Sequence, residues 1–330
     1  MKAVRLYAKG DLRVEDIAEP GTPPPGWVNI AVTAAGICGS DLHNYRTGQW
    51  VSRSPSVPGH EWIGRVTALG EGVVDLHIGE HVVADSRFWC GTCPACLAGR
   101  HHLCATLGFV GEVCDGGFAE RTSLPRRLLH RLPDNMPEVM MVMAEPMAVA
   151  IHAVRRLRPE SDAAVLIAGC GPIGGLVALA LSAYGHRDVR VADRNAGRLS
   201  RVCEVTGARP VTLDPLSAGN DVRFAIEATG SIPALKGLIG CMAGGGAISM
   251  VGIAHGRIDL DPNALVEREI SLIGCHAFQN ELPEAISLLA RHGSAASRLI
   301  DAEVAIADVP QVYERLIAGW SDGLKTIIRP

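Results

Sequence analysis

The stretch AAVLIAGCGPIG, residues 163–174, decides the fold of this chain. Its first half, AAVLIA, is an uninterrupted apolar run, as expected of a parallel strand that is buried on both faces. Its second half is rich in glycine, and the apolar segment IGGLVALALSAYG (173–185), which has the character of a helix, follows directly. A buried strand, a glycine turn and a helix in this order are typical of a dinucleotide-binding unit.

The turn itself fits the pattern G-x-G-x-x-G. Gly169 permits the tight turn, Gly171 lets the backbone approach a pyrophosphate, and Gly174 lets helix and strand pack closely. Pro172 and Ile173 open the helix, whose N-terminus would face the phosphates. We therefore predict that these five residues bind a dinucleotide; the alternative is a glycine turn with a purely structural role.

Asp193 indicates which dinucleotide is bound. It ends the next strand-like run, DVRVAD (188–193). A carboxylate at this point can accept hydrogen bonds from the ribose hydroxyls and would repel a 2′-phosphate, which favours NAD over NADP. Arg194 follows directly and complicates this reading, because an arginine can also meet a phosphate. Both residues are candidate cofactor contacts.

The sequence pattern differs between the two parts of the chain. From about residue 146 onward strands alternate with helices, which predicts a parallel sheet covered on both faces. Before it, short apolar runs separated by Gly and Pro predict an irregular, mostly β region. We expect an α/β protein with a doubly wound parallel sheet in the part that follows residue 146 and a separate, mostly β domain before it. The run AISMVGI (247–253) is a possible edge strand for pairing across a dimer.

Length and composition set limits on partners and location. The chain of 330 residues is typical of about two domains, and 48% of its residues are hydrophobic. Its net charge of −4 argues against general attraction to nucleic acids or anionic membranes. Gly, Pro or charged residues interrupt every apolar stretch before a membrane-spanning length of ~20 residues. The segment MKAVRLYAKGDLRVED (1–16) alternates like a strand and lacks the apolar core of a signal peptide, so we expect a cytoplasmic protein.

Four of the ten cysteines are clustered. Cys90, Cys93, Cys96 and Cys104 follow the pattern C-x2-C-x2-C-x7-C. Four thiolates this close can form a closed tetrahedral shell around one zinc ion, with no open position and hence no chemistry. An iron–sulfur cluster also takes four thiolates, but the ferredoxin spacing differs. Free cysteines in a loop and a nucleic-acid-binding zinc ribbon are further alternatives, and neither the charge nor the surrounding residues support the ribbon.

Other candidate ligands are dispersed along the chain. Cys38 lies in AAGICGSDLH, His60 and Glu61 lie in VPGHEW, and Glu145 precedes a proline where the second pattern begins. A lone Cys or His is more often structural than metal-binding. Their joint setting changes this reading, because several longer motifs surround them.

Those motifs carry a resemblance that covers essentially the whole chain. Together and in this order they are similar to the medium-chain zinc alcohol dehydrogenases, and in particular to the polyol branch with sorbitol, threonine and L-idonate 5-dehydrogenases. Besides the four-cysteine segment, the matching motifs are GICGSDLH (36–43), PGHEWIGRV (58–66), DGGFAE (115–120), MAEPMAVAIHAV (143–154), GCGPIGG (169–175) and REISLIG (268–274).

The resemblance implies a fold and a reaction. Residues 1–147 and 276–330 would form a GroES-like catalytic domain with two zinc sites, and 148–275 the Rossmann domain. The protein would transfer hydride between a secondary alcohol of a polyol, sugar acid or cyclitol and NAD. The resemblance also leads us to expect a homodimer or homotetramer.

Family roles can then be assigned to matching positions. Cys38 and His60 would bind the catalytic zinc. Glu61 and Glu145 match two acidic positions, where one carboxylate or a water completes the shell, and which of the two coordinates is left open. The cysteine cluster would hold a second, structural zinc.

The resemblance also implies a route for the proton. Ser40 would touch the substrate hydroxyl, and His43 would pass its proton toward solvent through the nicotinamide ribose. Zinc as a Lewis acid lowers the pKa of an alcohol, and a shell of one thiolate, one imidazole and carboxylates leaves room for substrate.

Two departures from the family pattern fall in the expected substrate pocket. Sorbitol- and idonate-type members commonly carry an Arg after the position of Gly274, whereas this chain has Cys275-His276-Ala277-Phe278. Asn44-Tyr45 replaces a common aromatic pair. A carboxylate substrate would ordinarily require a guanidinium partner, so we expect neutral polyols or cyclitols to be used at least as well as sugar acids.

Three alternatives stay open at this point. A threonine- or aminocyclitol-type dehydrogenase would act on a hydroxyl beside an amine. A non-catalytic NAD-binding protein would have lost the zinc ligands, yet all the candidates are present. Zinc-free quinone reductases share the fold but would lack Cys38 and the cysteine cluster.

Overall fold

The protein divides into two compact units. The first contains Met1–Glu145 and the C-terminal segments that begin at Ile300 and Lys325, and the second runs from Pro146 to Leu299 and includes Leu324. The computed structural model describes residues 1–133, 136–214, 219, 221–319 and 323–330.

Strands dominate the first unit, and strands alternate with helices in the second. The strands are β1 Lys2–Ala8, β2 Asp11–Asp16, β3 Trp27–Gly36, β4 Glu61–Leu69, β5 His81–Ala84, β6 Arg87–Phe88, β7 Gly108–Phe109, β8 Arg121–Pro125, β9 Leu129–Arg131, β10 Val165–Ala168, β11 Val189–Ala192, β12 Arg209–Pro210, β13 Phe224–Glu227, β14 Ala247–Met250, β15 Ser271–Gly274, β16 Ile300–Ala305 and β17 Lys325–Arg329.

The α-helices of the described residues are α1 Gly39–Thr47, α2 Pro94–Leu97, α3 Glu138–Met141, α4 Ala144–Leu157, α5 Pro172–Ala183, α6 Ala196–Thr206, α7 Ile232–Cys241, α8 Asn263–Val266, α9 Leu282–Ser297 and α10 Val309–Ile317. Short 3-10 helices occur at His101–Leu103, Arg126–Leu128 and Ile306–Asp308. Within the described ranges, no helix is both long enough and apolar enough to cross a membrane.

The first unit is built on a seven-stranded sheet. Its order is β16-β17-β3-β4-β5-β9, and β8 also pairs with β3. The ten-residue β3 is antiparallel to β4 and to β17. Gly36 lies opposite Glu61 on β4 and opposite Ile327 on β17, so the end of β3 meets the first residue of β4 and the middle of β17. Segments distant in sequence are therefore joined where the CGSDLH motif begins.

The second unit contains the expected parallel sheet. Its order is β12-β11-β10-β13-β14-β15, and every neighbouring pair is parallel. Counted within the unit this is the order 3-2-1-4-5-6 of a doubly wound fold, with the ligand crevice at the carboxyl ends of the two central strands. Strand β10 is wholly buried, as its apolar run predicts.

One prediction about this sheet is wrong. The run AISMVGI was expected as a possible edge strand, but β14 lies between β13 and β15. The segment REISLIG supplies the outer strand, since Ala247 to Met250 pair in register with Ser271 to Gly274. The edge on this side is therefore β15.

The return to the first unit also lies later than the sequence suggested. Residues 276–299 were assigned to the catalytic domain, but they lie in the second unit, and the chain returns at Ile300. Helix α9 is held there by polar contacts at its N-terminal end. His152 Nδ1 on α4 donates to Glu281 Oε1 at 3.0 Å, and the Tyr184 hydroxyl donates to Glu284 at 2.6 Å.

Glu281 gives this attachment a pH dependence that can be measured. Its side chain is almost fully buried, which raises its pKa, but His152 and the backbone N–H groups of Gln279 and Asn280 outweigh burial and lower the pKa to about 2. A carboxyl whose pKa is lower in the folded state stabilises the protein above its unfolded pKa of about 4.3, and this contribution is lost as the pH falls toward 2.

We expect Glu281→Gln to lower the free energy of unfolding at neutral pH by about 2–3 kcal/mol. The difference from the wild type should shrink progressively below about pH 4.3, as urea unfolding at a series of pH values would measure. The exposed Glu267 provides a control, Glu267→Gln, that should stay close to the wild type throughout. A difference independent of pH would mean that Glu281 acts through packing rather than charge.

Candidate functional site

Sheet pairing in the first unit brings the dispersed candidate ligands together. Cys38 follows the end of β3 and precedes α1, while His60 and Glu61 stand at the start of β4, which pairs with β3. One donor atom from each of these three side chains lies within 4.8 Å of the others. A Cβ at Gly36 would come within 2.5 Å of Glu61 Oε2, so the close approach at this point requires glycine.

Asp41 orients two of these residues. Its Oδ2 accepts a hydrogen bond from the Cys38 backbone N–H at 2.8 Å, which caps α1, and its Oδ1 lies 3.6 Å from His60 Nδ1. Burial lowers the pKa of His60, but Asp41 and Cys38 more than reverse this and raise the pKa well above its usual range. The surroundings of the imidazole are thus strongly negative, and such surroundings suit a divalent cation. With Nδ1 facing a carboxylate, Nε2 is the ring nitrogen left for a metal.

The two acidic candidates are held differently. Glu61 is fully buried and forms an ion pair with Lys325 at the start of β17; Lys325 Nζ also donates to the Ile37 carbonyl at 3.0 Å. Glu145 lies outside the group of three, and its Oε1 accepts a hydrogen bond from Ser86 Oγ at 2.6 Å. Burial, with a smaller contribution from the neighbouring Glu61, raises the pKa of Glu145 to about 7.

Ser40 and His43 lie on successive turns of α1. Ser40 is half-buried and lines a solvent-accessible pocket together with His60. His43 is buried; its Nε2 lies 2.9 Å from Gln49 Oε1, and its ring packs against Trp50 with centroids 4.5 Å apart. The two residues are therefore on one helix, and only the serine faces the pocket.

The four clustered cysteines converge in a separate segment of the same unit. Their sulfur atoms all lie within 4.8 Å of one another. Cys90 Sγ is 3.5 Å from Cys104 Sγ and 4.0 Å from Cys96 Sγ. Four sulfurs at the zinc–sulfur distance of about 2.3 Å form a tetrahedron with edges of about 3.8 Å, so the spacing fits a zinc ion.

Backbone N–H groups stabilise the thiolate form of one cysteine in this cluster. Cys90 Sγ accepts from the N–H groups of Thr92 and Cys93, and these bonds lower the pKa of Cys90 to about 5. Burial instead raises the pKa of Cys96 to about 12. A buried thiol of this kind gives up its proton only to a strong Lewis acid, which a zinc ion would be.

In the second unit the glycine turn connects β10 to α5 at the carboxyl end of the sheet. A Cβ at Gly174 would collide with the Gly169 carbonyl, so close packing requires that glycine. Gly171 is different: its φ of −74° suits any residue, and an added Cβ would meet no protein atom within 4 Å. The protein itself does not require a glycine there, as expected of a position kept clear for a ligand. Pro172 and Ile173 begin α5 as predicted.

Asp193 is tied to this turn. Its Oδ2 accepts from the Cys170 N–H at 2.6 Å, and its Oδ1 accepts from the Asn195 N–H at 2.7 Å. Each carboxylate oxygen keeps a lone pair with which it could accept a ribose hydroxyl. Arg194 next to it is exposed. The residues in this segment could therefore hold a dinucleotide.

Three supporting residues were not predicted from the sequence: Asp41, Ser86 and Lys325. Asp41 stands within the motif CGSDLH, so its position beside two candidate ligands could have identified it. Ser86 and Lys325 lie 59 residues from Glu145 and 288 residues from Ile37, their respective partners, and no local pattern marks them.

Comparisons with known proteins cover both units. The profile of the alcohol dehydrogenase GroES-like domain matches residues 24–134, and that of the zinc-binding dehydrogenases matches residues 172–291. An (R,R)-butanediol dehydrogenase of Neisseria gonorrhoeae is 31% identical over 355 residues, covering 100% of this chain and 99% of that protein. An L-threonine 3-dehydrogenase of Deinococcus radiodurans is 31% identical over 319 residues, covering 92% and 91%.

A solved structure is similar over the same length. A zinc-binding dehydrogenase from Sinorhizobium meliloti 1021, bound to NADP, superimposes with a TM-score of 0.92 at 28% identity and covers 100% of this chain and 99% of that one. The two units of this chain thus have counterparts in one polypeptide of known structure.

Proposed function

The chain belongs to the medium-chain zinc-dependent alcohol dehydrogenases, and on this premise we propose that it oxidises a polyol, cyclitol or related secondary alcohol with NAD and two zinc ions. It is a zinc-dependent secondary-alcohol oxidoreductase that uses a nicotinamide cofactor. In this proposal the first unit carries both zinc sites and the second binds the dinucleotide.

The convergence of Cys38, His60 and Glu61 beside a pocket carries the proposal. A thiolate, an imidazole and a carboxylate make the mixed donor set of a catalytic zinc site, which leaves a position for substrate. Cys38 and His60 would be the fixed ligands. Glu61 lies within the group, and Glu145 would supply the second acidic position.

The residues around this centre each have a task. Zinc would act as the Lewis acid for the substrate hydroxyl, and NAD would accept the hydride. Ser40 would take the hydroxyl proton and His43 would pass it on, so that the alcohol loses a hydride and a proton and becomes a ketone. Asp41 would keep the imidazole of His60 oriented.

The cysteine cluster would hold the structural zinc. Its four donors leave no open position, and its sulfur spacing matches the tetrahedron that zinc requires. Its contribution would be to folding.

NAD is proposed as the cofactor because of Asp193, and a charge-removing variant tests this. Asp193→Asn keeps an oxygen acceptor for the turn but loses the charge that would repel a 2′-phosphate. We expect it to raise the ratio of kcat/KM for NADP to that for NAD by about 10–100-fold, the usual effect of a hydrogen bond to a charged group.

Arg194→Ala is the matched control for cofactor choice. It should leave NAD use intact and weaken NADP further. One solved relative is bound to NADP and another to NADH, so the family admits both cofactors. A wild-type enzyme with the higher kcat/KM for NADP would mean that Arg194, not Asp193, decides the choice.

The proposed proton relay can be tested at both of its members. Ser40→Ala should lower kcat by about 10²–10⁴-fold, the usual contribution of a general acid–base group. His43→Ala should slow turnover less, because water can replace a remote relay, and should shift the pH profile of kcat. Gln49→Ala, which removes only a polar neighbour of His43, is the control. If His43→Ala lowers only the melting temperature, the packing against Trp50 is its whole role.

The reaction class is tested by a panel of polyols, cyclitols, sugar acids and amino alcohols with NAD, followed by the absorbance of the reduced nicotinamide. Oxidation of at least one secondary alcohol is expected, with neutral polyols used at least as well as sugar acids. A protein that binds NAD but oxidises none would support the alternative of a non-catalytic NAD-binding role. The cytoplasmic location and the homodimer or homotetramer stay predictions.

A further inference from the structure

A pocket that opens to solvent lies in the first unit beside the proposed catalytic centre. Apolar residues of the β1–β2 hairpin form one wall. The polar side chains that line it are Ser40, Asp41, Asn44, His60, Glu112 and Tyr313. Ser40 and His60 belong to the catalytic centre and Asp41 orients it, whereas Glu112 and Tyr313 have no part in the mechanism above.

Glu112 presents a carboxylate without a partner. Its backbone is fixed, because its N–H donates to the Phe109 carbonyl at 3.0 Å and its carbonyl accepts from Ser52 Oγ at 2.8 Å. Within the described part of the chain, its carboxylate has neither a hydrogen bond nor an ion pair. Burial and, to a lesser extent, Asp41 raise the pKa of Glu112 to about 7, although His60 lowers it.

Tyr313 presents a second unpaired group. Its side chain on α10 is 1% exposed, and its hydroxyl has no hydrogen-bond partner among the described residues. The ring is held by an edge contact with Tyr45, at a centroid distance of 5.6 Å. Burial and the neighbouring Asp41 raise the pKa of Tyr313 well above its usual range, so the hydroxyl stays protonated. A buried hydroxyl that lines a pocket and lacks a partner is a position where a ligand can bind.

The charge of the lining selects among ligands. None of the described residues that line the pocket is Lys or Arg, so the pocket offers Glu112 no cation other than His60, which would itself be occupied by the zinc ion. A substrate carboxylate would be repelled, and a neutral hydroxyl would gain one ordinary hydrogen bond. An ammonium group has three donors and no acceptor, so it can pair with the carboxylate and donate to the tyrosine oxygen.

We propose that Glu112 and Tyr313 form a subsite for an ammonium group that the substrate carries beside its reacting hydroxyl, which makes amino alcohols without a carboxylate the preferred substrate class. The inference rests on the proposed function, because Ser40 and His60 at the same pocket define where the hydroxyl reacts. It adds the group that the substrate presents next to that hydroxyl.

Three compounds that share the unit CH3–CHOH test the subsite: 1-amino-2-propanol, 1,2-propanediol and lactate. Their kcat/KM values with NAD would be measured on the holoenzyme at about pH 8.5, where Glu112 is ionised and the amine is still largely protonated. We expect the amine to exceed the diol by about tenfold or more, and lactate to be poorest. Glu112→Gln should lower the ratio of amine to diol by about tenfold or more.

Glu71 is an exposed carboxylate that does not line the pocket, so Glu71→Gln is the matched control and should leave the ratio unchanged. Calorimetric binding of 1-amino-2-propanol without NAD gives a readout that does not depend on turnover. Glu112→Gln should weaken this binding, and Tyr313→Phe should weaken it less while keeping the melting temperature of the wild type.

The outcomes separate this inference from the proposed function. If the diol or lactate is oxidised as well as the amine and the ratio is unchanged in Glu112→Gln, the subsite is wrong and the dehydrogenase function stands. If none of the three compounds and nothing in the wider panel is oxidised, yet calorimetry shows amine binding that depends on Glu112, the subsite stands and the dehydrogenase function is wrong. Amine binding that is equal in wild type and Glu112→Gln overturns the subsite.

Discussion

Cys38→Ser is expected to reduce turnover by about 10³-fold or more while leaving the protein folded, because Lewis-acid activation supplies several kcal/mol of transition-state stabilisation. A serine hydroxyl is a poor zinc ligand at neutral pH, whereas a thiolate is among the best. Folding should survive because Cys38 occupies the N-cap of α1, a position that serine favours, and its backbone N–H can still donate to Asp41.

Three measurements together identify the role of Cys38: kcat, zinc per chain by elemental analysis, and the melting temperature. We expect zinc to fall from two ions to one with little change in melting temperature. Cys203→Ser is the control, since that half-buried cysteine lies on α6 in the second unit. Full turnover and two zinc ions in Cys38→Ser would show that the metal is held elsewhere.

The sequence predicted the parts of the fold that local chemistry determines. Twelve residues contain the buried strand, the turn and the helix start, and each of these follows from residue type at a fixed spacing. The edge of the sheet could not be found this way. Whether β14 is an edge depends on what pairs with it, and its neighbour β15 begins more than twenty residues later.

The same distinction between local and distant determinants applies to the candidate site. Candidate ligands in distinctive motifs, such as Cys38 and the four clustered cysteines, can be recognised from the linear sequence. The charge balance around them cannot be recognised in this way, because Lys325 is a buried cation that reaches Glu61 from the far end of the chain. Burial lowers the pKa of Lys325, but Glu61 and Cys38 more than offset this and raise it. Such a pair is visible only once β17 is known to lie beside β3.

Glu112 shows the same limit of prediction from sequence. A charged substrate contact is expected after Gly274, but the chain has Cys275-His276 there. The carboxylate that lines the pocket comes instead from the segment just after β7, which no motif singled out. A lining residue is defined by the shape of the unit, and the sequence carries no separate signal for it.

The cysteine cluster gives the second large effect, and it concerns stability rather than turnover. Cys96→Ser is expected to lower the melting temperature by about 10 °C or more, because a closed zinc site contributes its binding free energy to folding. Cys96 is buried and belongs to the cluster of four sulfurs. Its replacement would leave three sulfurs, which bind zinc weakly. Zinc should again fall from two ions to one.

Cys38→Ser and Cys96→Ser should both lose one zinc ion. The first should lose turnover and the second should lose stability, and this difference distinguishes the two sites. In Cys96→Ser the kcat per folded molecule should stay within a few-fold of the wild type, because no open coordination position is lost. Cys114→Ser is the control: this cysteine is half-buried in the same unit but lies outside the sulfur cluster, so zinc content and melting temperature should be unchanged. Should Cys96→Ser keep both zinc ions and its melting temperature, the second zinc would be bound without Cys96, and the assignment of a closed four-cysteine zinc site would be wrong.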